Sequence, residues 1–305
     1  MPPTISAIIC THNRANYLKK AIRSLLEQTL QKSEYEIVVV DNASKDNTKE
    51  IINEFSDIKN LKYMYEPKLG LSQARNTGWK NAKGKYVAYL DDDAVASKNW
   101  LKKIVEIFEQ DSRIGCVGGK VEPVWESERP TWLSDSMLGA LTVLDWSPKP
   151  IILNKEQWFV GANFAVRRKL LKSIGGFRVN LGRVGDKLLS KEEVFLKEEI
   201  KKKKYLCLFS PDAKVKHHIS ESRLNKKWFL KRAFWNGVSS GLMEIDKNSV
   251  PVLKRIGRGL STLARILVSP KELLSLVKQN DSNFQTKCSV YARVGHVFVL
   301  WGLVR

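Results

Sequence analysis

The first 120 residues alternate between two hydrophobic rhythms. Ile5–Cys10 is a short apolar run followed by the polar loop Thr11-His12-Asn13-Arg14, after which Leu18, Ile22, Leu25 and Leu26 recur at helical spacing. Glu36–Val40 is a β-branched run of the kind a strand buried on both faces of a parallel sheet requires, and it ends at Asp41-Asn42-Ala43-Ser44. Asp46 is placed to cap a helix carrying Ile51, Ile52 and Phe55. Strands are predicted at Leu61–Tyr65, Lys85–Leu90 and Ile114–Gly118, and helices at Ser72–Asn81 and Trp100–Gln110. Strands separated by helices of this length imply right-handed crossovers and a doubly wound α/β sheet.

After Gly119 the rhythm breaks. Residues 120–160 carry Trp125, Trp132, Trp146 and Trp158 among Pro123, Pro130, Pro148 and Pro150, with little periodicity. Long irregular segments in compact domains are commonly functional, and the aromatic content predicts an ordered loop region. Strand patterns return at Gly161–Arg167, Tyr205–Phe209 and Val215–Ile219, with a helix at Ser190–Lys203. Beyond residue 220, Trp228–Trp235 and Ile256–Val268 mix basic and apolar positions at helical spacing.

Composition narrows the possibilities. A chain of 305 residues, 43% hydrophobic and 28% charged, forms one large domain or two modest ones and is not disordered throughout. Cys10, Cys116, Cys207 and Cys288 are widely spaced with no CxxC pair, which fits a reducing compartment and a cytoplasmic location. No secretory signal is expected at the start, and the apolar run Val294–Val304 is too short to span a bilayer. The net charge is +20, of which +15 falls in residues 201–305. Basic amphipathic helices suit an anionic lipid surface, although a solvated basic face accounts for the same charge. No zinc-finger, helix-turn-helix or RNP-type pattern accompanies it, so nucleic acid is not the expected partner.

The polar residues at predicted strand ends carry the candidate chemistry, because ligands of open α/β sheets bind beyond those ends. There is no GxGxxG after the first strand and no GxxxxGK[ST], which disfavours a dinucleotide dehydrogenase or a P-loop NTPase. In Asp91-Asp92-Asp93 the first and third side chains alternate onto one side and can share a hard cation. Alternatively, Asp93 caps a helix beginning near Ala94. Glu192-Glu193 can act in acid–base chemistry, or Glu193 can fill the third position of a capping box opened by Ser190. His217-His218 closes a late strand and offers an imidazole near a metal.

Several segments, in order and spacing over residues 4–220, together resemble a family-two glycosyltransferase of GT-A fold. They are Ser6–Arg14, Ile37–Thr48, Gly70–Gly78, Tyr89–Asp93, Gly161–Asn163, Gly175–Phe177 and Glu192-Glu193. The resemblance implies a Rossmann-like, mixed but mainly parallel sheet flanked by helices, with a basic helical extension at residues 221–305. Residues 1–119 would be the nucleotide-binding half and 120–220 the acceptor-side half of one catalytic domain. Thr11, Asn13, Arg14, Asp41, Arg75, Asp91 and Asp92 would hold the nucleotide sugar, expected to be UDP-linked. Asp91, Asp93 and His217 would bind Mg²⁺ or Mn²⁺. Glu193 takes the position of the catalytic base, where the family usually has Asp, which leaves Glu192 open as the base. Trp125, Trp132, Trp158 and Asn163 are the expected acceptor contacts, for a glycan or lipid-linked acceptor. The expected reaction is inverting, in a protein peripheral to the cytoplasmic face of a membrane. A sugar nucleotidyltransferase would need an early glycine-rich loop, and residues 5–14 contain no glycine. A non-catalytic nucleotide-sugar or membrane binder on the same fold would not need acidic residues in every role.

Overall fold

The structure, a computed structural model, describes residues 2–247, 251–277 and 281–304. Four parallel strands form one side of its sheet, in the order β3 (Leu61–Tyr65), β2 (Tyr35–Asp41), β1 (Ile5–Thr11), β4 (Tyr86–Asp91). The middles of β1 (Ala7–Cys10) and β2 (Ile37–Val40) are uninterrupted apolar runs because both faces are covered, and every residue of β2 is buried. Helix α1 (Ala15–Leu26) turns Leu18, Ile22 and Leu25 into the core, as their spacing predicts. Helices α2 (Thr48–Asn53), α3 (Leu71–Asn81) and α4 (Trp100–Gln110) complete the crossovers.

Beyond β4 the sheet continues with β8 (Asn163–Arg167), β6 (Ile114–Trp125) and β9 (Leu206–Ile219), and then β5 (Ala94–Ala96). Pairing turns antiparallel from β4 to β8 and from β8 to β6. The two-residue β7 (Ile151–Ile152) also pairs β9. Helix α5 (Arg168–Ile174) follows β8, and α6 (Glu192–Lys202) precedes β9.

Four local expectations change. Residues 94–96 are a strand bound to β9, with Ala94 opposite His217, and the next helix starts only at Trp100, so Asp93 caps nothing. Helix α6 starts at Glu192, which makes Glu193 its second residue, and the capping box with Ser190 does not form. The two late strands merge into β9. Pro211 falls between the residues that pair β7 and those that pair β5, where a missing N–H is tolerated. Strand β6 runs on to Trp125, so the segment that lacked periodicity begins as a strand whose partners lie far away in sequence.

The chain divides into two compact units. The first comprises Met1–Val124, Thr142–Val179 and Glu192–His218 and holds the sheet core. The second comprises Trp125–Leu141, Asn180–Lys191 and Ile219–Arg305. It contains α7 (Lys226–Lys247), α8 (Val252–Leu267), α9 (Pro270–Val277) and α10 (Phe284–Leu300). Helices α7 and α10 cross backbone to backbone: a methyl group on Gly237 would strike the Ala292 carbonyl, and one on Gly295 the Phe234 carbonyl. Among the described residues, no helix is long and apolar enough to cross a membrane.

Gly119 of β6 has the same constraint inside the sheet, since an added Cβ would strike the Ala213 carbonyl of β9 and crowd the Asn163 amide. Gly119→Ala should therefore lower unfolding stability by about 2 kcal/mol through overpacking. A urea midpoint equal to that of the unsubstituted protein would contradict this.

Candidate active site

The carboxyl ends of β1, β2 and β4 deliver their polar residues to one region of the first unit. The Thr11 hydroxyl donates to Asp92 Oδ2 at 2.8 Å. Arg14 precedes α1, and its Nη1 donates to Asp92 Oδ1 at 2.9 Å and to Asp93 Oδ2 at 2.6 Å. Burial works against the Arg14 charge, but the two aspartates keep it firmly protonated. Burial pushes Asp92 above the usual carboxylate range, with Arg14 opposing. The middle aspartate is thus held by Thr11 and Arg14.

The loops after β1 and β2 brace each other. The Asn13 amide donates to Ser44 Oγ at 3.0 Å, and Asn13 Oδ1 accepts from the Lys45 amide at 2.7 Å. Asp41 Oδ1 accepts from the Ser44 amide at 3.0 Å, and Tyr63 donates its hydroxyl to Asp41 Oδ2 at 3.2 Å. Asn13 (φ 53°) and Ala43 (φ 58°) both adopt the left-handed conformation. For alanine this is strain, and such strain concentrates where loop shape serves a site.

The pairing of Ala94 with His217 brings the imidazole to the aspartates, with His217 Nε2 3.1 Å from Asp93 Oδ1. Candidate ligand atoms of Asp91, Asp93 and His217 all lie within 4.8 Å of one another, and His217 is 1% exposed. Two carboxylates and an imidazole suit a divalent cation such as Mn²⁺ or Mg²⁺, so the residues present fit the metal that the fold implies.

Arg75 of α3 is the centre of a second cluster. Its Nη1 lies 3.0 Å from Glu192 Oε1 and 3.2 Å from Glu193 Oε1, and its Nη2 is 3.5 Å from Asp91 Oδ1. The guanidinium is 5.6–5.9 Å from the ring centres of Tyr89, Phe164 and Phe177. An added Cβ at Gly161 would strike Arg75 Nη2 and lie 2.6 Å from Glu193 Oε1, so only glycine leaves room for this pair. One buried cation faces three carboxylates, so the cluster is short of positive charge. Burial raises Glu193 to about 7, helped by the Glu192 charge and opposed by Arg75. Glu192 Oε2 has no hydrogen-bond partner.

The remaining expected residues lie elsewhere. Asn163 is 1% exposed and serves the scaffold rather than an acceptor: Oδ1 accepts from Trp100 Nε1 at 2.8 Å, and Nδ2 donates to the Lys120 and Ala213 carbonyls. Trp158 stands at the surface of the first unit, edge-on to Trp146. Trp125 and Trp132 belong to the second unit, where Trp132 packs edge-on against Phe229 and Phe284. Tyr63 was not singled out in the sequence, and Gly161 was read only as part of the segment Gly161–Asn163. The glycine of Gly161-Ala162-Asn163 was the available signal for one, and nothing marked the other.

Residues 6–175, more than half of the chain, match the sequence profile described as glycosyl transferase family 2. The chain belongs to this family. Glucosyl-dolichyl phosphate glucuronosyltransferase of Haloferax volcanii is 26% identical over 259 residues, covering 80% of this chain and 81% of that protein. Glycosyltransferase AglE of the same organism is 38% identical over 122 residues, covering 39% of this chain and 40% of that one. Among solved structures, the mannosyltransferase PcManGT from Pyrobaculum calidifontis, in complex with GDP-Man and Mn²⁺, superposes with a TM-score of 0.66 at 19% identity. That match covers 99% of this chain and 88% of that one and shows a shared GT-A fold.

The raised Glu193 has a consequence for stability. A carboxyl that keeps its proton to about pH 7 when folded, against an ordinary value of 4.5, favours the folded state in acid and loses that advantage as pH rises. Stability should fall by about 2–3 kcal/mol between pH ~5 and ~7, and Glu193→Gln should flatten that slope. Parallel pH–stability curves for the two proteins would refute the assignment.

Proposed function

We propose that this family member is a metal-dependent, inverting transferase that moves a hexosyl group from a nucleotide sugar to a hydroxyl acceptor. The observation that carries the proposal is the single guanidinium linking Asp91, beside Asp93 and His217, to the Glu192-Glu193 pair. It holds an acidic pair of raised proton affinity close to a candidate cation site.

Thr11, Asn13, Arg14, Asp41 and Asp92 form the proposed nucleotide pocket. Asp91, Asp93 and His217 would hold Mg²⁺ or Mn²⁺, which supplies Lewis-acid stabilisation of the departing diphosphate. Glu193, once deprotonated, accepts the acceptor's hydroxyl proton as the new bond forms, on the side of the anomeric carbon opposite the leaving group. That geometry inverts the anomeric centre, as in inverting glycosidases. Arg75 fixes the carboxylate while this occurs. Glu192, with its unpartnered oxygen, is the alternative base.

The donor is proposed as UDP-linked. GDP-Man in the mannosyltransferase of the same fold brings guanine donors into the comparison. A relative whose name specifies glucosyl-dolichyl phosphate supports a lipid-linked acceptor. Residues 1–220 are proposed as the catalytic region, with 1–119 serving the donor and 120–220 the acceptor. Residues 221–305 would place the enzyme at the cytoplasmic face of an anionic membrane.

Release of nucleoside diphosphate from a panel of UDP- and GDP-sugars, with and without Mn²⁺, tests the reaction class. Glu193→Gln should lower kcat by about 10³ while leaving nucleotide affinity unchanged, and Asp93→Ala should remove the response to Mn²⁺. Full activity in Glu193→Gln with loss in Glu192→Gln would move the base by one residue. Full metal-dependent activity in Asp93→Ala would refute the cation site.

A further inference from the structure

Helix α8 of the second unit is amphipathic, yet its apolar stripe faces outward. Leu253, Ile256, Leu260 and Leu267 follow one another by three, four and seven residues and so lie along one side of the helix. All four are exposed, Leu253 by 83% and Leu267 by 65%. Val268 at the end of the helix is 77% exposed. The inward side is narrow instead. It presents Gly259, where an added Cβ would strike the Trp301 indole, and buried Ile266. The following helix, α9, leaves Leu273, Leu274, Leu276 and Val277 exposed as well. A folded protein seldom leaves so many large apolar side chains together in water without a partner for them.

Charge identifies that partner. Helix α8 contains Lys254, Arg255, Arg258 and Arg265 and no acidic residue. By helical spacing Lys254, Arg258 and Arg265 share the side of the helix turned away from the apolar stripe. Arg258 also reaches Glu244 of α7, whose carboxylate bonds His296 of α10 at 2.8 Å, which fastens α8 to its own unit. An apolar face with a basic face behind it is the pattern of a helix lying in the plane of a bilayer, apolar side among the acyl chains and basic side toward the anionic headgroups.

We infer that α8, continued by α9, is an interfacial anchor that docks on an anionic phospholipid bilayer through Leu253, Ile256, Leu260 and Leu267. This rests on the proposed lipid partner, while the transfer chemistry stands apart from it, because none of these residues belongs to the acidic clusters of the first unit.

The test is sedimentation of the full-length chain with vesicles of phosphatidylcholine alone and with vesicles containing about one third phosphatidylglycerol. The expected result is retention by the anionic vesicles that weakens with salt. Combined Leu253→Gln, Leu260→Gln and Leu267→Gln should lower the bound fraction about tenfold or more, with circular dichroism and donor hydrolysis unchanged. Lys254→Gln with Arg265→Gln should weaken retention on anionic vesicles alone, and it serves as the readout if the triple variant misfolds. Equal retention of the substituted and unsubstituted proteins would overturn the inference, as would equal binding to uncharged vesicles. A dimer in gel filtration that the triple variant dissolves, without vesicle binding by either protein, would assign the stripe to a second copy of the chain. Vesicle binding by a protein that turns over no nucleotide sugar would leave the anchor standing and remove the proposed reaction.

Discussion

One buried guanidinium organises the candidate site. Arg75 is held between Glu192, Glu193 and Asp91, groups that lie on α6 and at the end of β4, with the acidic pair more than a hundred residues from it in sequence. Burying charged groups costs several kcal/mol each, and the arrangement persists only because the fork of an arginine can face more than one carboxylate at once. Lysine would supply the charge without the fork. The rings of Tyr89, Phe164 and Phe177 form the apolar wall around it, and Gly161 removes the one side chain that would stand in the way. The same deficit of positive charge that makes the cluster expensive raises the proton affinity of Glu193 toward neutrality.

The three consecutive aspartates divide their work for a geometric reason. The chain turns at Asp92 and Asp93 between β4 and β5, and Thr11 and Arg14 take up Asp92. Asp91 and Asp93 remain with His217, which is present only because β5 pairs β9 in register. A strand of three residues therefore sets the position of the imidazole. Arg14 bridges Asp92 and Asp93 and restrains the repulsion that three adjacent carboxylates would otherwise produce.

The sequence made the parallel half of the sheet legible because burial on both faces leaves uninterrupted apolar runs, as in Ile37–Val40, and because α1 shows its core face at Leu18, Ile22 and Leu25. The antiparallel half was harder to read. Strands β6, β8 and β9 are stabilised by partners distant in the chain, so β6 could be followed only to Gly118, and Pro211 divided β9 into two apparent strands. Site residues were legible as chemical types at strand ends. Their partners were not. Arg75 carried no mark that it faces Glu192 and Glu193, because that pairing is set by where α3 and α6 settle. Asn163 looked polar and available, yet it is a buried peg between β8 and its neighbours.

Periodicity reports that a helix has an apolar face, not what lies against it. In α1 that face meets the sheet, and Leu18, Ile22 and Leu25 are fully buried. In α8 an equally regular stripe faces solvent, while a glycine and an isoleucine make the inward contact. Both helices obey the same spacing rule, and the difference arises from the surroundings, since α8 packs where Trp301 leaves room only for Gly259. Area arguments then bear differently on the two: in α1 the stripe already contributes to folding, at roughly 25 cal/mol per Å² removed from water. In α8 the same contribution is still available. It can be gained only by contact with something apolar, and four basic residues without an acidic one on that helix make an anionic surface the favoured place to gain it.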